Sequence, residues 1–153
     1  MTKGHVEHGT IVLERRIKAP PARVFTAWAS EKARVVWAAP KAEWVIAYDR
    51  FDFRVGGHEV GRFGPPEGPH HVTTAHYYDI VPERRIVFAY GMAYEGATIA
   101  VALTTVDLQP DGGGTRLLLT EQLAALDGGD RPEYREAGWS EMLDKLVDTA
   151  ETA

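Results

Sequence analysis

Between Thr10 and Lys18 the chain alternates: Ile11, Leu13, Arg15 and Ile17 point one way, and Val12, Glu14, Arg16 and Lys18 the other. A period of two predicts a strand with one buried face. Arg15 interrupts that face and belongs near a rim. Ala19-Pro20-Pro21 stops the strand, and proline suits the first turn of a helix, where its missing N–H has no intrahelical partner. Val24, Phe25 and Trp28 then form an amphipathic stripe. Ser30 is placed as the N-cap of a second short helix through Val35, Val36 and Trp37, which Pro40 ends.

Residues 42–110 read as a meander of strands. Trp44, Ile46 and Tyr48 alternate with polar or small residues, as do Phe51, Phe53 and Val55, and Gly56-Gly57 predicts a bulge or sharp bend. After the Gly64–Pro69 loop, Val72, Thr74, His76, Tyr78 and Ile80 are assigned to one face. Ile86, Phe88, Tyr90 and Met92 share the next face, followed by Ile99, Val101 and Leu103. Asp111–Gly114 turns the chain into a last strand marked by Leu117 and Leu119. The period then lengthens. Trp139, Met142, Leu143, Leu146, Val147 and Ala150 lie on one face of a long helix, with Asp130 as N-cap and Pro132 in its first turn.

This order predicts an α+β domain. One curved antiparallel sheet of about six to seven strands packs beneath a long C-terminal helix, with two short helices after the first strand. Residues 1–9 read as a loose lead-in, and 10–153 as a single domain. The 153 residues are 44% hydrophobic and 25% charged, enough for one core. With no cysteine, disulfides, thiolate metal sites and a cysteine nucleophile are excluded. A net charge of −5 argues against a nucleic-acid partner. No apolar run reaches the ~18 residues of a membrane span, and the opening segment lacks the apolar core of a signal peptide. The expectation is a cytoplasmic protein with no membrane partner.

Several segments in this order resemble one family. Ile17-Lys18-Ala19-Pro20 with Val24-Phe25 and Trp28 looks like its strand-to-helix entry, and Trp37 with Pro40 its second helix. Asp52–Gly57 is similar to its bent strand, Tyr78–Phe88 to its central hairpin, Gly112–Leu117 to its late turn, and Gly138-Trp139 with Leu143 and Leu146 to its last helix. The chain thus resembles the START-like, birch-pollen-allergen-like (SRPBCC, helix-grip) superfamily. Within it, the chain resembles the family related to the C-terminal domain of the activator of the heat-shock protein 90 ATPase. The resemblance implies a ligand cavity between sheet and helix. It implies no single activity.

No nucleophile elbow, zincin motif or phosphate loop is present, so no catalytic residue, metal or cofactor is assigned. His58 and His76 are placed opposite each other in a hairpin, and with His70 and His71 they are read as solvated or core-edge residues. The candidate cavity lining is Trp37, Phe53, His76, Tyr78, Phe88, Tyr90, Leu103, Glu121, Trp139, Met142 and Leu143, a mostly apolar set with a few polar tips. The bland alternative is that these residues are plain core. Glu121 is expected at a strand end in water. Three functional readings follow. The favoured one is binding of a hydrophobic or aromatic small molecule. The others are a cofactor-free cyclase or hydratase using His, Tyr or Glu, and a chaperone-associated interaction module. A homodimer is expected only if folding leaves an apolar patch exposed.

Overall fold

The computed structural model describes residues 3–153. Seven strands form one antiparallel sheet: β1 (Val6–Ile17), β2 (Val45–Phe51), β3 (His58–Gly64), β4 (His71–Val81), β5 (Arg85–Tyr94), β6 (Ala97–Asp111) and β7 (Gly114–Leu126). Helices α1 (Pro21–Ala29) and α2 (Glu31–Trp37) follow β1, and α3 (Pro132–Thr152) ends the chain. The spatial order is β1-β7-β6-β5-β4-β3-β2. Six strands thus meander in sequence order. The first pairs with the last, and α1 and α2 carry the chain to the opposite edge. Among the described residues no helix is long and apolar enough to cross a membrane.

The capping chemistry follows the sequence in part. Ser30 Oγ accepts the Ala33 N–H at 3.2 Å and starts α2. α3 begins with Pro132 in its first turn, but its N-cap is Arg131 rather than Asp130. Arg23 donates to the Ala150 carbonyl at 3.0 Å, meeting an otherwise unpaired carbonyl of the last turn of α3. Arg15 does sit at the rim, where it bonds Asp144 and Ser140 of α3. Strand β1 begins at Val6, ahead of the expected Thr10, and pairs with β7 up to Leu126. The third strand lies at His58–Gly64, not at 51–55, because Gly56, at φ 81°, makes a tight turn that pulls residues 52–57 out of the sheet.

Two strands show the opposite face from the one expected. In β4, Tyr77 opposes Phe88 whereas Asp79 opposes Val87, so Tyr78 is an extra, bulged residue. Parity carried back from Ile80 therefore inverts across the bulge. Ala75 and Tyr77 face the core, while His76 is exposed and Tyr78 is 62% exposed. In β6 the register shifts between Met92 and Ala93, leaving Ile99 unpaired. Ala100, Ala102 and Thr104 then face inward, and Leu103 lies outside at 41% exposure.

The inner face packs against α3 through Trp139, Met142, Leu143, Leu146 and Ala150, all buried. The start of α3 lies so close to β1 that a Cβ on Gly9 would sit 2.7 Å from the Pro132 ring. Proline has no rotamer that relieves this. Gly9→Ala is expected to cost about 1–3 kcal/mol by overpacking. Gly91→Ala, where nothing lies within 4 Å of the new Cβ, should be tolerated. Urea unfolding of both variants checks this, and equal midpoints would refute it.

Candidate functional site

Both faces of the space under α3 carry charge that the apolar pattern did not announce. Arg34 is on the inward side of α2, three residues before Trp37, and both are buried. On β3, parity puts Glu59, Gly61 and Phe63 inward. The two charges meet as a fork: Arg34 Nη1 to Glu59 Oε2 at 2.9 Å and Nη2 to Oε1 at 2.6 Å. Arg34 also donates to Tyr48 Oη at 3.0 Å, Tyr77 Oη at 2.5 Å and the Trp28 carbonyl at 2.8 Å. The Tyr77 hydroxyl donates in turn to Glu59. Burial alone would lower the Arg34 pKa. Tyr77, Glu59 and Tyr48 outweigh it and hold the guanidinium charged. Burial also pushes the Tyr48 phenol up to about 12 and Tyr77 higher still, so both remain protonated.

The second cluster joins β5, β7 and α3. Glu121 is fully buried, not at a solvated strand end, because β7 runs on to Leu126 and places it mid-strand beside β6. Its Oε1 accepts from Thr104 Oγ1 at 2.6 Å and Trp139 Nε1 at 3.0 Å, and its Oε2 accepts from Tyr90 Oη at 3.0 Å. Burial raises its pKa above the usual carboxylate value, although these hydrogen bonds and Arg135 pull the other way. Arg135 lies four residues before Trp139 on the buried side of α3. Its Nη1 reaches Tyr90 Oη at 3.5 Å, and its Nε lies 3.4 Å from Asp130 Oδ2.

Between these clusters lies a cavity of about 70 Å³. Trp28, Trp37 and Pro40 close one side, and Trp139, Met142 and Arg135 form the α3 side. The sheet contributes Ile46, Tyr48, Glu59, Phe63, Ala75, Phe88, Tyr90 and Met92. Five of the expected residues therefore border it: Trp37, Phe88, Tyr90, Trp139 and Met142. Leu143 is packed in the core, Phe53 packs on Tyr77, and Glu121 sits behind Tyr90 and Trp139. His76, Tyr78 and Leu103 lie outside on the other face of the sheet. An inward His76–Tyr78 proton-transfer pair is therefore overturned by the bulge at Tyr78. His76 does oppose His58, with ring centroids 4.1 Å apart. Among the described residues no cluster of three metal-ligating side chains forms.

Glu59, beside His58, reads from the sequence like Glu121, as a carboxylate at a strand end in water, and is buried instead, while Arg34, Tyr77 and Arg135 were missed. Each stands on the inward stripe of its element, in register with a buried aromatic residue. A charge on such a stripe, matched by an opposite charge on another, was the available signal.

The profile of the family described as Activator of Hsp90 ATPase homolog 1-like protein matches residues 18–151. The chain is similar to the crystal structure of a protein from Rhizobium loti, at 42% identity over 95% of this chain and 99% of that one, with a TM-score of 0.82. An uncharacterized protein from Rhizobium leguminosarum is similar at 39% identity over 97% and 98%, with a TM-score of 0.86. A protein from Chromobacterium violaceum is similar at 30% identity over 93% and 96%, with a TM-score of 0.80. No curated protein matches the chain.

Two variants probe the clusters. Arg34→Met leaves Glu59 buried without its partner and should destabilise the fold by about 3–5 kcal/mol, much of it recovered in Arg34→Met/Glu59→Leu. Equal unfolding midpoints for the single variant and wild type in urea would contradict this. For Glu121, the folded-state pKa lies above the unfolded value of about 4.3, so from about pH 4 upward the unfolded chain releases its proton first. That stabilising contribution is complete at low pH and is lost as pH rises through the folded pKa. The stability of Glu121→Gln relative to wild type should therefore grow from about pH 4 and then level off. A pH-independent difference in denaturant titrations would refute this.

Proposed function

The chain belongs to the activator of Hsp90 ATPase homolog 1-like family, and from that premise we propose that it binds a small, largely apolar molecule in the cavity between the sheet and α3. The observation that supports this most directly is the cavity's lining, where Phe63, Phe88, Met92, Trp139 and Met142 meet around unfilled space. Ligand sites are characteristically concave and apolar, with a few placed polar groups. Here those groups are Tyr48, Tyr90 and two buried guanidiniums.

Size limits the occupant. A dry cavity of ~150 Å³ accommodates benzene, and this one is about 70 Å³. The space suits a molecule of few heavy atoms, and an aromatic ring enters only if α3 or the Ala38–Pro40 link moves outward. The small inward residue Ala75 on the cavity wall leaves space that the sheet does not fill itself.

Titration with small neutral probes (n-butanol, benzene, indole), followed by amide NMR, tests the reading. Shifts are expected around Phe63, Phe88 and Trp139. Ala75→Val, which narrows the cavity from β4, should abolish them while leaving the melting temperature unchanged or higher. Absence of any shift with every probe, or shifts confined to the His76 and Leu103 face, would overturn the proposal.

A further inference from the structure

The two guanidiniums of the cavity differ in how fully they are used. An arginine carries five N–H donors. Arg34 makes five hydrogen bonds, to Trp28, Tyr48, Glu59 twice, and Tyr77. Arg135 is equally buried, yet its one hydrogen bond is the 3.5 Å contact with Tyr90. Its 3.4 Å approach to Asp130 lacks hydrogen-bond geometry, so Arg135 Nε and Asp130 Oδ2 are both unpartnered. Among the described residues the one other buried side-chain nitrogen or oxygen without a partner is His71 Nδ1. Arg135 Nη2 also has no hydrogen-bond partner among the described residues, so a guanidinium that lines the cavity keeps donor capacity its neighbours do not use.

The orientation of Arg135 shows what kind of partner. Its Nε edge looks toward Asp130, whose other oxygen accepts from the Arg131 N–H at the start of α3. Its Nη1 looks toward Tyr90, and Nη2 lies beside Gly138. A Cβ at Gly138 would come within 3.5 Å of that nitrogen. The Nη pair is the edge that receives a planar oxyanion through two parallel hydrogen bonds. Glu59 fills the fork of Arg34, whereas Asp130 meets Arg135 only from the Nε side, and Arg135 Nη2 has no hydrogen-bond partner among the described residues. Glu59, Glu121 and Asp130 would oppose a doubly charged phosphate there, and the cavity is small.

We propose that the cavity takes a short carboxylic acid, its carboxylate on the Nη edge of Arg135 and its apolar body against Phe63, Met92, Trp139 and Met142. The proposal rests on the reading that the cavity binds a small molecule, and it names that molecule's chemical class. Tyr90 gives its one proton to Glu121 and accepts from Arg135 Nη1, so it orients the guanidinium toward the carboxylate.

The test compares acids with their isosteric amides on the intact chain: propionate against propionamide, butyrate against butyramide, and benzoate against benzamide, each titrated by amide NMR at constant ionic strength. The acid should bind at least tenfold more tightly than its amide. Arg135→Gln should remove that preference, bringing acid and amide affinities together, and Arg135→Lys, lacking the fork, should retain only part of it. The acid–amide comparison uses wild-type protein, so it decides the matter even if Arg135→Gln fails to fold. Equal affinity of acid and amide, or a preference that survives Arg135→Gln, overturns the carboxylate assignment and leaves the cavity reading standing. No binding of acids, amides or the neutral probes overturns both.

Discussion

The buried ion pair between Arg34 and Glu59 is the constraint on which the rest of the arrangement depends. It is the polar tie between α2 and the sheet beneath it, and it sits among the rings of Trp37, Tyr48 and Phe51. Taking both charges out of water is costly, and the cost is offset only because every Arg34 N–H and both Glu59 oxygens find partners. The two tyrosines and the Trp28 carbonyl complete that set. Hydrogen bonds are directional where apolar packing is not. The pair therefore fixes how far α2 stands from β3, and so the height of the cavity roof at that end.

The other end is held differently. Lys145 reaches the Ala39 carbonyl at 2.6 Å, and Trp139 is fixed by its hydrogen bond to Glu121. α3 is thereby anchored along its middle and, through Arg23, at its C-terminal end. Its first turn is fixed mainly by the contact of Pro132 with Gly9. Arg135 lies in the turn between that contact and the anchored middle. Poorly satisfied polar groups are tolerated most easily where the surrounding scaffold over-determines the backbone, and this is such a place.

Much of the fold was legible because most elements obey one period throughout. β1, β5 and α3 show their buried faces directly, and Ser30 and Pro132 mark helix starts by local chemistry alone. The errors came from breaks in period that carry no composition signal. Tyr78 and Ile99 are bulged, yet each reads as an ordinary strand residue. Around them His76, Tyr78, Val101 and Leu103 lie outside, while Ala75, Ala100 and Ala102 lie inside with Tyr77. Hydrophobic size therefore pointed to the wrong face. Pairing resolves it, because directly opposed residues share a face and β5 was already assigned.

The same reasoning explains why the site was less legible than the fold. Apolar patterning finds surfaces that exclude water, and half of this cavity's character comes from groups that patterning treats as interruptions. Arg34, Glu59, Glu121 and Arg135 all stand where an apolar residue would continue the stripe. A core closed for stability alone would do better with hydrophobic residues of similar volume at those positions. Arg34 and Glu59 can be understood as structural, since they satisfy each other. Glu121 is satisfied by three neutral donors. Arg135, held by an ion pair at 3.4 Å without hydrogen-bond geometry and by one 3.5 Å hydrogen bond, is the member of the set least satisfied by the protein's own atoms, and it is on the cavity wall.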